Sequence, residues 1–198
     1  MINFTPIKEG KLTTPEFVAQ LNITIDDLRQ STNDAVDRML NSIRDCVDAD
    51  VTFVPADPEA KDTFATNPDE VELAWTLGHV IVHATASAEE SAYLAVELAR
   101  GVPYRAGRSR YEVPWREVTT IAQCRERLEE SRRMRLASLD MWPRLPHLEN
   151  SYIVRDDLPP YNAFARFVGG LRHDDAHFEQ IDKIVAQARA AHRADPGS

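Results

Sequence analysis

The sequence predicts an all-α protein that folds as a four-helix bundle, and three observations lead to this prediction. Four long stretches place apolar residues three and four positions apart, which is the period of an amphipathic helix. Segments that contain proline and glycine separate these stretches and interrupt their period. No two segments show the alternating pattern of paired strands. Because long amphipathic helices bury their apolar faces against one another, a bundle is the simplest architecture.

The N-terminal half of the chain is expected to contain the first two long helices. Residues 1–23 are predicted to be a lead-in segment. Thr24 then caps a first long helix over about 25–48, in which acidic residues occupy the first turn. The second long helix is predicted to begin at Asn67-Pro68-Asp69-Glu70, which has the composition of a capping box, and to end near Arg100.

The C-terminal half is expected to supply the other two long helices. A third helix is predicted over about 117–141, where Pro143 halts it. The fourth follows Pro159-Pro160 and leads to a polar tail, 194–198, which is predicted to be flexible. A chain of 198 residues with 43% hydrophobic content can bury one substantial core, so a single domain is predicted, with its core over about 24–190.

Charge and composition limit the classes of partner. The net charge of -9 disfavours binding to a phosphate backbone or an anionic membrane, so neither nucleic acid nor membrane is expected as a partner. No apolar run has the length of a signal peptide or a membrane span, and a cytoplasmic protein is expected. The two cysteines, Cys46 and Cys124, are expected to be buried in the core.

Two histidine pairs are the strongest chemical signal in the sequence. His79 and His83 lie four residues apart on the second predicted helix, and His173 and His177 have the same spacing on the fourth. This spacing places both rings of a pair on one helical face, where they can converge on one ion. Each pair alone is also compatible with a solvated surface. Two pairs on different helices favour a metal site in the bundle.

The type of ligand limits the identity of the metal. Three neutral imidazoles with one open position are typical of a catalytic zinc site, and nickel or ferrous iron also accept imidazole. The run His173-Asp174-Asp175-Ala176-His177-Phe178-Glu179-Gln180 supplies polar groups that could hold the second nitrogen of a ligand ring. Each of these groups is also compatible with a solvated helix surface.

Two motifs resemble the signatures of the DinB-like superfamily. Trp75-Thr76-Leu77-Gly78-His79-Val80-Ile81-Val82-His83 resembles the first signature, in which a tryptophan precedes a ligand histidine by eight residues. His173-x-x-x-His177-x-x-Gln180-Ile181 resembles the second, and the resemblance covers about 24–190. It implies a DinB/YfiT-like four-helix bundle that forms a homodimer. It also implies that His83, His173 and His177 bind one divalent metal ion at one end of the bundle.

The resemblance implies a metal-dependent enzyme and leaves its reaction open. The first choice is an S-transferase or isomerase that uses a low-molecular-weight thiol, such as mycothiol or bacillithiol, with the thiolate as nucleophile. The alternative is a metal-dependent hydrolase in which metal-bound water attacks the substrate. A rival from another class is a non-catalytic metal-binding stress-response dimer. For the two enzymes, the expected partner is a small-molecule substrate.

Four further residues are predicted to lie beside the ligands, either as supporting groups or as substrate contacts: Trp75, His79, Asp174 and Gln180. His79 departs from the family pattern, in which another polar residue is common. It could be a fourth ligand, a substrate contact or a proton carrier, and a polar group behind the ligands is preferred. Trp75 is predicted to be a core ring that shields the site.

Glycines near the histidines have two interpretations. Gly78 lies on the second predicted helix, and Gly169 and Gly170 precede His173 on the fourth. They either clear space for a substrate or allow two helices to pack closely.

Overall fold

The computed structural model describes residues 2–62, 67–104 and 113–194, and their regular structure is helical. An isolated antiparallel bridge joins Tyr152 and Tyr161. In chain order the α-helices are α1 (Thr5–Lys8), α2 (Thr14–Leu21), α3 (Ile25–Ser42), α4 (Asp48–Thr52), α5 (Leu77–Ala99), α6 (Ile121–Asp140) and α7 (Ala163–Ala194). Short 3-10 helices lie at Pro68–Glu70 and Trp115–Glu117. The all-α prediction is therefore confirmed for the described residues.

The four longest helices enclose the core. Helix α5 packs against α6 and α7, and α3 packs against the same two helices from the other side. Most residues of α5 are buried, and they lie on all faces of the helix, because α5 also contacts α4 and the 3-10 helix at Trp115–Glu117. None of the described helices combines the length and the apolar composition of a membrane span.

The core consists of two apolar clusters with a polar layer between them. One cluster lies where α2 meets the C-terminal half of α5 and the N-terminal half of α7, and it includes Phe17 and Phe167. The other lies at the opposite end and includes Met39 and Ile181. Buried polar residues occupy the intervening turns of the four long helices: Ser31, Thr32, Thr85, Glu89, Ser91, Ser131, Arg135, Ser138 and Asp174. The two cysteines are buried, as predicted.

The first long helix is shorter than predicted. It ends at Ser42 instead of near residue 48, and α4 follows as a separate short helix. The Asp50 side chain accepts a hydrogen bond of 2.8 Å from the backbone N–H of Val47. This bond satisfies an N–H at the start of α4, so the chain begins a new helix there instead of extending α3.

The predicted start of the second long helix is wrong. Asn67 does accept a hydrogen bond from the Asp69 N–H, but the turn that it caps is only the 3-10 helix Pro68–Glu70. Helix α5 begins at Leu77, where the Thr76 side chain accepts from the backbone N–H of His79. The segment between the two caps is therefore free to fold over the histidines, and Trp75 lies in it.

The last two long helices are close to their predictions. Helix α6 begins at Ile121, a few residues later than predicted, because Thr120 and Gln123 form a capping box there. Helix α7 begins after the predicted prolines and ends at Ala194. Of the tail predicted to be flexible, 195–198 lie outside the described residues.

Candidate metal centre

Three imidazoles converge between α5 and α7. His83 lies on α5, and His173 and His177 lie one turn apart on α7. One ring nitrogen of each histidine lies within 4.8 Å of those of the other two. The ring centroids are 4.9 Å apart for His83 and His173, 5.1 Å for His83 and His177, and 4.6 Å for His173 and His177. The structure thus brings together the three residues that the family resemblance selected.

The spacing of these nitrogens fits a shared ion. The Nε2 atoms of His83 and His173 are 3.1 Å apart. Two nitrogens bound to one zinc ion at tetrahedral angles are separated by about 3.3 Å. An ion shared by His83 and His173 therefore requires little change in the distance between these two nitrogens.

The second nitrogen of His177 has a hydrogen-bond partner. Its Nδ1 lies 2.8 Å from Oε1 of Gln180, one turn further along α7. When Nδ1–H donates to this oxygen, Nε2 has a free lone pair that can bind a metal. Burial lowers the pKa of His177, although the bond to Gln180 opposes that shift. The neutral ring favoured by burial is the form that binds metal.

Asp174 directly follows His173 in the sequence of α7. It is fully buried, and its Oδ2 accepts a bond of 2.5 Å from the Arg135 guanidinium on α6, which is also buried. Burial raises the pKa of Asp174, while the charge of Arg135 opposes the shift. The pair joins α6 and α7 directly behind His173, and sequence alone gave no reason to single out Arg135 among the arginines of α6.

His79 lies between two tryptophan rings. Its ring centroid is 4.5 Å from that of Trp75 and 4.3 Å from that of Trp115, and it is nearly parallel to the latter, at 2°. Its Nδ1 is buried and has no hydrogen-bond partner among the described residues. Burial lowers the pKa of His79 to about 4, so the ring is neutral near pH 7. It is not part of the three-histidine group.

Trp75 joins this stack to the metal centre. The half-buried ring lies 4.6 Å from the His83 ring and 6.0 Å from the His177 ring, in addition to its contact with His79. It therefore covers one side of the three imidazoles. Trp115 completes the stack from a segment 40 positions away in sequence, and no motif in the sequence indicated its place.

Two clefts open onto the three histidines. The larger, of about 520 Å³, reaches His83 and His173 from the groove between α5 and α7. The smaller, of about 220 Å³, reaches His177 and Gln180. Residues Lys61, Asp62 and Trp75 line both clefts. A separate cavity of about 520 Å³ lies along α6, and no histidine is among its described lining residues.

The glycines divide between the two interpretations. A methyl group at Gly78 would lie 2.7 Å from the backbone oxygen of Val118, and one at Gly170 would lie 2.7 Å from Cβ of Ser91, so both positions serve close packing. A methyl group at Gly169 would meet nothing within 4 Å, and Gly169 lines the larger cleft. Only Gly169 of these three adjoins open space.

Comparisons of the chain with models of known protein families, with curated proteins and with solved structures find no match. Support for a function therefore comes from the geometry of the described residues and from the two motifs.

Proposed function

We propose that this chain is a metal-dependent enzyme of the DinB-like type, a four-helix bundle in which His83, His173 and His177 hold one divalent ion. The main support is the convergence of three imidazoles from two helices, with ligand atoms within 4.8 Å of one another. Their position beside a cleft of about 520 Å³ provides room for a reactant. Burial of His177 and its contact with Gln180 favour a ligand over a solvated surface pair.

The first candidate reaction is transfer or isomerisation through the thiolate of a low-molecular-weight thiol. A bound divalent ion supplies a Lewis acid that lowers the pKa of a thiol or water beside it. Zinc is preferred because it accepts both imidazole and sulfur, and nickel or iron are the alternatives. The chain contributes three nitrogen donors, the Trp75 ring that covers them on one side, and a cleft in which a reactant can lie.

A metal-dependent hydrolase is the second candidate, and one observation favours it. The carboxylates of Asp62 and Glu90 line the same cleft as His83 and His173. A carboxylate placed near the reacting atoms can accept a proton from an attacking water.

The metal site is tested by elemental analysis of protein purified without a metal-affinity column. We expect one divalent ion per chain in the wild type and loss of that ion in His177→Ala. The control is His147→Ala, because the exposed His147 side chain pairs with Glu149 and lies outside the three-histidine group. If the wild type holds no stoichiometric metal after incubation with excess zinc, the proposal is refuted.

The two reactions are separated with cobalt-substituted protein. Addition of mycothiol or bacillithiol should change the visible spectrum of the cobalt if the sulfur binds the ion. An unchanged spectrum together with ester or amide hydrolysis would select the hydrolase. If the cobalt spectrum does not change and no hydrolysis occurs, the remaining prediction is a non-catalytic metal-binding protein.

We also propose a homodimer, on the basis of the family resemblance. Apolar side chains in the connection between α6 and α7 are exposed, among them Leu145 and Ile153. A second copy of the chain could cover this apolar surface in a dimer. Light scattering coupled to size exclusion measures the mass of the assembly, and a monomer at every concentration would refute this part of the proposal.

A further inference from the structure

The larger cleft has a charged end that lies away from the three histidines. It follows the groove between α5 and α7, with His83 and His173 near one end. Tyr152, Tyr161 and Arg166 also line it. The bridge between the two tyrosines fixes the segment before α7 at this position.

Arg166 and His173 share one face of α7. They are seven residues apart, which is two helical turns and about 10 Å along the axis. Gly169 lies between them on this face, and a methyl group there would meet nothing within 4 Å. Among the described residues, the surface between the guanidinium and the imidazole is therefore uncovered at Gly169, and a small molecule can lie along it.

The guanidinium of Arg166 is incompletely satisfied. Its Nε is buried and has no hydrogen-bond partner among the described residues. Arg166 also lies near the half-buried Tyr152, where it opposes the rise that burial causes in the pKa of that phenol. A buried N–H without an acceptor is unfavourable, and a carboxylate is the group that fits the guanidinium fork.

The rest of the lining does not create a general positive field. Lys61 and Arg172 add positive charge, but Asp62 and Glu90 line the same cleft. Recognition of an anion in this cleft therefore depends on a local contact rather than on the total charge.

We propose that Arg166 binds the carboxylate of the small-molecule substrate, whose reacting group lies at the three-histidine site. The position of the reacting group at the three histidines depends on the proposed function, whereas the binding of a carboxylate by Arg166 does not. The substrate class is a carboxylic acid with a second, reactive end. The Cα atoms of Arg166 and His173, which contact the two ends, are about 10 Å apart along the helix. Arg166 is then the residue that determines specificity, and the histidines hold the reactive end.

The test compares acids with alcohols of equal length. Metal-free protein is titrated with hexanoate and with 1-hexanol, and zinc-loaded protein with 6-mercaptohexanoate and 6-mercapto-1-hexanol. The readouts are the dissociation constant and the ¹H–¹⁵N resonance of the Arg166 side chain, assigned by its loss in Arg166→Gln. Arg166→Lys keeps the charge and removes the fork, and Arg193→Gln, at an exposed position on the same helix, is the control for net charge.

We expect the wild type and Arg193→Gln to bind the acids at least tenfold more tightly than the alcohols. The preference should disappear in Arg166→Gln and fall in Arg166→Lys, and only the acids should shift the Arg166 resonance. Equal binding of acid and alcohol by the wild type, or an acid preference that persists in Arg166→Gln, would overturn the inference. Failure to load zinc would refute the metal site alone, because the hexanoate titration uses metal-free protein.

Discussion

Adjacent glycines on α7 provide a stability test of the close packing between α5 and α7. A methyl group at Gly170 would lie 2.7 Å from Cβ of Ser91 and 3.4 Å from Cα of Ala88. Carbon atoms pack best at about 3.5–4.0 Å, so α5 and α7 would have to separate by about 1 Å. A methyl group at Gly169 would meet no atom within 4 Å. Alanine at Gly169 and alanine at Gly170 therefore lie on the same helix, and only the second creates a close contact with α5.

The expected magnitudes follow from this difference. Alanine in place of glycine stabilises a helix interior by about 1 kcal/mol, so Gly169→Ala should raise the free energy of unfolding by that amount. Gly170→Ala has the same gain, but overpacking of a buried contact costs about 1–3 kcal/mol. Since the helix contribution cancels, Gly170→Ala should be less stable than Gly169→Ala by about 1–3 kcal/mol. In a chain of this length each kcal/mol shifts Tm by about 2–4 °C.

Urea unfolding followed by circular dichroism measures both variants. A chelator is included because bound metal would add its own stabilisation of the folded state. A double-mutant cycle with Ser91→Gly isolates the contact, since this change removes the Cβ that the new methyl group meets. Equal stabilities of the two alanine variants, or no coupling between Gly170→Ala and Ser91→Gly, would refute the packing argument.

Two further predictions concern buried charge. Burial lowers the pKa of His79 to about 4 from 6.5, so its contribution to stability is complete above pH 6.5 and is lost as the pH falls toward 4, by up to about 3 kcal/mol. His79→Phe should flatten this part of the pH dependence in urea unfolding of metal-free protein, leaving the smaller slope of His177; a slope equal to that of the wild type would contradict this. Asp174→Ala should destabilise the fold by about 3–5 kcal/mol because it leaves Arg135 buried without a counter-ion, whereas Arg135→Met with Asp174→Leu should recover most of the loss. Chemical denaturation measures the stability of the single and the double variant, and a wild-type midpoint for Asp174→Ala would contradict the predicted cost of an unpaired Arg135.

Helix content was predictable from the sequence, while some helix ends were not. The period of apolar residues locates α3, α5, α6 and α7 because each must bury one face. The cap at Asn67 was misjudged because a capping signal describes a few hydrogen bonds and not how far the helix continues. Thr76 forms an equivalent cap, and packing of Trp75 on the histidine rings favours the later start.

The candidate site was only partly predictable for a related reason. The repeated spacing of four placed His173 and His177 on one face, and the motif added His83. Trp115 and Arg135 have no local signal, because their roles depend on contacts with distant parts of the chain. A seven-residue spacing from His173 is a signal that could have found Arg166, since such positions share a helical face.

The polar layer between the two apolar clusters explains why the histidines lie where they do. A buried ion pair such as that of Arg135 and Asp174 is often less favourable than apolar residues of similar size, so stability alone does not account for it. The pair joins α6 to α7 at the residue next to His173, and we expect it to limit the rotation of α7 and so to keep His173 and His177 directed toward His83. The stability of the fold and the geometry of the metal centre are for this reason separable. Apolar replacement of the pair should preserve the first and loosen the second.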